Sequence, residues 1–136
     1  MTQTQRMGLV LAMFLVGCGT EESREPRDGQ EVTANETCAD IEQVVEHVRQ
    51  GLGSCTPNYK NEEPLAFSRA TCNAEFARVC GAADQPFVQQ YMTCLRAVVA
   101  CAPANQSVFD EAIADCLDTF QNSAADGMCI ELVVGD

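Results

Sequence analysis

Nine cysteines and one histidine are the side chains of this chain best suited to chemistry. Eight of the cysteines (Cys38, Cys55, Cys72, Cys80, Cys94, Cys101, Cys116 and Cys129) are dispersed, with neighbours never closer than seven positions. Metal-binding cysteines come as pairs only a few residues apart, and no CxxC redox pair is present. An even, dispersed set therefore reads as four disulfides, the chemistry of an oxidising compartment. His47 could act as a general base or a ligand, but no nucleophile or second ligand stands at a recognised spacing from it. With Glu46 beside it, it reads as a surface residue. Glu42 and Glu46 share one helical face, as paired carboxylates for acid–base work would, yet nothing nearby supplies the burial that such work needs. Asp110, Glu111, Asp115 and Asp118 are placed on the outer side of a helix, which spreads carboxylates apart instead of wrapping them around calcium. No Gly-x-Ser-x-Gly elbow or glycine-rich phosphate loop occurs. Phe87, Tyr91, Phe109 and Phe120 could line a lipid-sized cavity, although aromatic residues at helical spacing usually fill a core. The expectation is no catalytic residue, no metal ligand and no cofactor.

The ninth cysteine, Cys18, has a different setting. Arg6 is followed by the apolar run from Met7 to Val16, then Gly17 and Cys18. A positive start, a short apolar core and small residues at its end make a secretory signal, and the run is too short to span a bilayer. Leu15-Val16-Gly17-Cys18 resembles the lipobox of bacterial lipoproteins. That resemblance covers residues 1–18 and implies cleavage after Gly17, a diacylglycerol thioether on Cys18 and acylation of the new amino end. Gly19 stands where inner-membrane lipoproteins typically carry Asp, so the resemblance points to the outer membrane of a Gram-negative cell.

Charge narrows the partners. The net charge of −12, with Lys60 as the only lysine, opposes binding to nucleic acid or anionic headgroups, both of which require clustered basic residues. The expected membrane contact is the lipid anchor alone. Residues 18–36 are polar and charged, and read as a flexible tether with an r.m.s. reach of roughly 23 Å. The remainder, 37–136, suits one small domain.

Four helices are expected in that domain. Thr37 caps the first, whose face is Ile41, Val44, Val45 and Val48, with Gly51 as its stop. Pro64 opens the second, with Cys72, Phe76 and Cys80 facing inward. Asp84 caps the third, and apolar residues on two of its sides (Phe87, Tyr91, Leu95; Val88, Met92, Val99) make it the central helix. Asn105 or Ser107 caps the fourth, which carries Phe109, Ile113, Cys116, Leu117 and Phe120. A turn-rich tail then ends in Ile130, Leu132, Val133 and Val134. The expected architecture is an all-α, disulfide-stapled bundle of about four helices.

Helical rise separates Cys72 from Cys80 by about 12 Å and Cys94 from Cys101 by about 10 Å, too far for bonds within one helix. If helices two and three pair as an antiparallel hairpin, heights along it favour Cys72–Cys94, Cys55–Cys101 and Cys38–Cys80, leaving Cys116–Cys129; a Cys72–Cys101 and Cys80–Cys94 ladder is the alternative, mismatched in height unless the turn climbs. The leading functional expectation is a non-enzymatic, membrane-anchored interaction or structural module with an unidentified protein partner. The alternative is a module holding a small apolar ligand or lipid between helices.

Overall fold

The computed structural model describes residues 28–135, with side chains from residue 33 onward. The signal segment 1–17, Cys18 and residues 19–27 of the expected tether lie outside the described residues. Five helices follow one another: α1 (Asp28–Leu52), α2 (Arg69–Val79), α3 (Gln85–Ala97), α4 (Gln106–Gln121) and α5 (Gly127–Val134). Short 3-10 turns occupy Glu63–Ala66 and Pro103–Asn105. The fold is an all-α bundle stapled by disulfides, with one helix beyond the expected four.

The added length of α1 reorganises the rest. Ala34, Thr37, Cys38, Ile41, Val44, Val45, Val48 and Leu52 are all buried, falling singly or as adjacent pairs once per helical turn along one stripe. Residues 28–36, expected as tether, are helical, and Thr37 is buried within the helix instead of capping it. The helix passes through Gly51 and stops at Gly53, whose φ of 52° is open to glycine and strained for other residues.

α1, and not α3, is the central helix: it packs along α2, α3 and the Glu63–Ala66 turn, most extensively along α2, whereas α3 packs mainly along α1 and α4. One side of α3 is open to water at Gln89, Gln90, Thr93 and Arg96, and Val99 lies beyond its end, 75% exposed. The helices alternate in direction. Glu42 meets Arg69 at 2.9 Å while Cys38 is bonded to Cys72, which sets α2 antiparallel against the first half of α1. The α3–α4 connection returns to the far end of α1, where the Cys101 amide donates to the Gly51 carbonyl at 2.8 Å.

Local signals explain most ends. Pro64 is buried in the 3-10 turn, and α2 starts later, where the Ser68 hydroxyl accepts from the Thr71 amide at 3.3 Å. Asp84 precedes α3 without capping it. Its carboxylate instead accepts from the amides of Gly81 at 2.6 Å and Asp126 at 2.8 Å, joining the α2–α3 turn to the start of α5. Asp126 caps α5 through the Met128 amide. Gly135 closes the described chain with φ of 91°, and a Cβ there would stand 2.6 Å from the Ala66 carbonyl carbon. Only glycine allows this approach of the α5 end to the 3-10 turn.

The disulfides follow the helix neighbours. Cys38–Cys72 joins α1 to α2, Cys94–Cys116 joins α3 to α4, and Cys80–Cys129 joins the end of α2 to α5. Cys55–Cys101 ties the loop after α1 to the loop after α3, as the spacing argument expected. The Cα separations run from 4.9 Å for Cys80–Cys129 to 6.1 Å for Cys55–Cys101, an ordinary range. The expected Cys38–Cys80, Cys72–Cys94 and Cys116–Cys129 pairs are not formed. Two premises behind them fail. The extended packing is between α1 and α2 and between α3 and α4, not between α2 and α3. With Cys38 level with Cys72, the eight residues on to Cys80 add about 12 Å and carry it towards the start of α1, where α5 supplies Cys129.

Candidate functional site

Three places depart from a plain packed bundle: a braced loop at the end of α1, a cavity between α3 and α4, and an open groove of about 230 Å³ between α2 and α5, bordered by charged Glu75, Arg78 and Glu131. The loop spans residues 53–62 and is pinned near its start by the Cys55–Cys101 disulfide. Next to it, the Gln106 side chain accepts from the Thr56 amide at 3.1 Å and donates to the Thr56 carbonyl at 2.8 Å. Asn61, fully buried, donates to Asp110 Oδ1 at 2.8 Å, and Asn58 donates to Asp110 Oδ2 at 2.7 Å. The Asn61 side-chain oxygen accepts from the Asn58 amide at 2.9 Å, closing the circuit. Lys60 pairs with Glu111, which pushes its ammonium pKa above the ordinary lysine value.

This arrangement corrects one expectation. Asp110 faces inward, 9% exposed, and does not belong to a solvated acidic side of α4. Its two oxygens are occupied by amides, so the buried carboxylate has the partners that burial requires. Tyr59, at the centre of the braced segment, is 81% exposed. Val99 and Val108, also strongly exposed, lie at the same end of the bundle, in the segment bonded to Cys55 through Cys101 and in the first turn of α4.

The cavity, about 240 Å³, is walled by Phe87, Tyr91, Phe120 and the Cys94–Cys116 disulfide. The rings of Tyr91 and Phe120 stack with centroids 4.7 Å apart at an interplanar angle of 12°. Three of the four aromatic residues singled out in the sequence thus come together. Phe109 does not join them, since it packs near Gly51 at the other end of α4.

No protein-family model, curated protein or solved structure matches this chain. Its chemistry has to be read from its own side chains. His47 is exposed on α1. Glu42 and Glu46 are each taken up by an arginine, Arg69 and Arg49. The Arg49 hydrogen bond, with a second from Gln50, holds the Glu46 carboxyl below the usual carboxylate range, the opposite of what a general acid at neutral pH needs. Among the described residues, no three His, Cys, Asp or Glu side chains converge as a metal-ligand set. No described helix is long and apolar enough to cross a membrane.

Tyr91 carries the one buried side-chain polar atom among the described residues without a hydrogen-bond partner, its hydroxyl. Burial, reinforced by the Glu63 carboxylate, drives its pKa well above the ordinary tyrosine value. Two results follow. At neutral pH, Tyr91→Phe is expected to stabilise the fold by about 1 kcal/mol, because it removes a desolvated group that has no partner. In alkali the unfolded chain releases the phenolic proton near pH 10 while the folded protein retains it. Ionisation of this group therefore costs the fold nothing below about pH 10, and stability falls as pH rises from there towards the folded pKa. Tyr91→Phe should flatten that alkaline loss. Urea unfolding of both proteins at neutral pH and at about pH 11 measures it; a destabilised, equally alkali-sensitive variant would contradict the assignment.

Proposed function

We propose that this protein is an exported lipoprotein, anchored through Cys18 at the outer membrane, that works as a non-enzymatic interaction module. The observation that carries the reading is the position of the exposed apolar end relative to the chain start. The described part of α1 runs from Asp28, ten positions after Cys18, and its 25 residues span roughly 37 Å. Tyr59, Val99 and Val108 sit at the far end of that helix, so an anchor at Cys18 would hold them away from the bilayer. The braced loop supports the reading, because an exposed tyrosine on an ordered backbone forfeits little entropy on docking. The four disulfides accord with export.

Both halves of the proposal can be tested in cells. Wild-type protein is expected to lack residues 1–17 and to partition into detergent, whereas Cys18→Ala should accumulate as unprocessed precursor. Normal processing and water solubility of Cys18→Ala would remove the anchor from the proposal. A photo-crosslinking residue at position 59 should give a discrete protein adduct in intact cells. The same residue at position 74, exposed on α2, should not. Equal labelling from both positions would reject the distal end as the docking surface.

A further inference from the structure

We propose that the cavity between α3 and α4 is a binding site for a small, neutral aromatic molecule of one or two rings. The inference is independent of the anchor and of the distal loop, since the cavity is built only from α3, α4 and the residues just after α4.

Size is the first argument. The volume of about 240 Å³ exceeds the roughly 150 Å³ of an apolar protein cavity that accommodates benzene. It leaves room for a second ring and is small for a larger ligand. The walls are the second. Phe87, Tyr91 and Phe120 line the cavity, the last two stacked on each other, and aromatic groups gain more from such walls than from aliphatic ones. Sulfur of the Cys94–Cys116 bridge adds a polarizable surface that also favours a ring.

Rigidity is the third argument. Cys94 and Cys116 bond α3 to α4 directly beside the cavity, and Tyr91 is stacked on Phe120. These constraints oppose collapse of the walls, so little conformational freedom remains to be lost on binding.

Charge selects among aromatic ligands. No Asp, Glu, Lys, Arg or His lines the cavity. A carboxylate or ammonium would enter without an ionic partner, at a large desolvation cost, and the net charge of −12 adds repulsion for anions. Besides the buried Tyr91 hydroxyl, the polar groups are Gln90, Thr119 and Ser123, of which Gln90 and Thr119 are exposed. They lie where a hydroxyl, carbonyl or ring N–H on one edge of the ligand would meet the mouth. The ligand class is therefore a neutral ring system with one polar edge.

Indole serves as the probe, with indole-3-carboxylate and n-octanol as contrasts. The protein is the oxidised chain from residue 18 onward carrying Cys18→Ser, followed by nuclear magnetic resonance. Indole is expected to cause saturable shifts centred on Phe87, Tyr91, Thr119 and Ser123, with a dissociation constant on the order of 1 mM or tighter. The carboxylate and the alcohol should each bind about tenfold or more weakly, a difference measurable from the same titrations. Thr119→Trp, or Gln90→Trp from the opposite lip, should abolish the shifts by filling the mouth while leaving the α1 resonances unchanged. Having two plugging variants protects the test against one misfolding. Absence of saturable shifts, shifts centred elsewhere, or undiminished binding in a folded plugged variant would overturn the site. Equal affinity for indole and its carboxylate would overturn the neutral class, and equal affinity for octanol the aromatic one.

Discussion

Reduction of the four disulfides is expected to unfold the bundle at ambient temperature, the largest effect any single treatment should have on it. The bridges close sequence separations of 34, 46, 49 and 22 residues, and loops of such lengths correspond to about 3 to 4 kcal/mol each in the chain-entropy model. The contributions do not simply add, because the loops overlap: Cys55 lies inside the 38–72 loop, and the 94–116 pair lies inside the 80–129 loop. Even two of them amount to a large share of the roughly 5–15 kcal/mol that stabilises a small domain. Helix propensity alone will not replace them, since helices as short as α2 and α5 are marginal without tertiary packing. Far-ultraviolet circular dichroism during reduction and alkylation should show loss of cooperative structure. Removal of Cys80–Cys129 alone, as a Cys80→Ser/Cys129→Ser pair, should act more locally. Hydrogen exchange is then expected to rise first in α5, which that bridge and the Asp84–Asp126 contact attach to the α2–α3 turn. An unchanged melting midpoint after complete reduction would show that the packed core suffices, contrary to this expectation.

Asp110→Ala should be the most damaging of the polar substitutions. It removes the acceptor for two side-chain amides, those of Asn58 and Asn61, and Asn61 has no access to water. A buried donor left unsatisfied costs about 1–3 kcal/mol; the Asn61 amide keeps its 3.3 Å contact to the Thr56 carbonyl and Asn58 is only half-buried, so a total near ~2 kcal/mol is expected here. The substituted site also adjoins the well-packed Phe109 and Ile113, and the loop cannot follow the shortened side chain far, because Cys55–Cys101 and the Gln106–Thr56 pair hold its start. Urea unfolding should show a lower midpoint with an unchanged slope. Hydrogen exchange should accelerate across residues 56–62, while α2 and α5 keep their protection. Asp110→Asn retains one acceptor and should fall between the wild type and the alanine variant. A loss below about 0.5 kcal/mol, the level of a neutral surface change, would mean that water replaces the carboxylate and that the network does not brace the loop. The distal-end docking proposal would weaken with it, since it relies on an ordered Tyr59.

The helical class, the faces of α1 and α4 and the oxidised state of the eight cysteines were all legible in the sequence. Each is a local or compositional property. Apolar residues three and four apart define a face wherever the helix is later placed, and dispersed cysteines exclude the usual metal spacings before any fold exists. Cys55–Cys101 was legible too, because both residues lie in loops that alternating helices bring to the same end. The other three pairings depended on which helices become neighbours and on the starting point of α1. Neither is encoded locally: residues 28–36 look too polar for a helix, and α2 covers the early turns of α1 only through contacts such as Cys38–Cys72 and Glu42–Arg69. Asp110 shows the same limit in a single side chain. By charge it belongs on a solvated face, although it stands three and seven positions before buried Ile113 and Leu117, at the rim of the apolar stripe; two asparagines some fifty residues earlier supply the hydrogen bonds that bring it inside. The cavity was half legible. Phe87 and Tyr91 on α3 and Phe120 on α4 were recognisable as inward-facing aromatics, but whether they would fill a core or wall a space depended on how closely Cys94–Cys116 lets α3 approach α4. Burial is a property of the partner as much as of the residue, and the partner is chosen only when the chain folds.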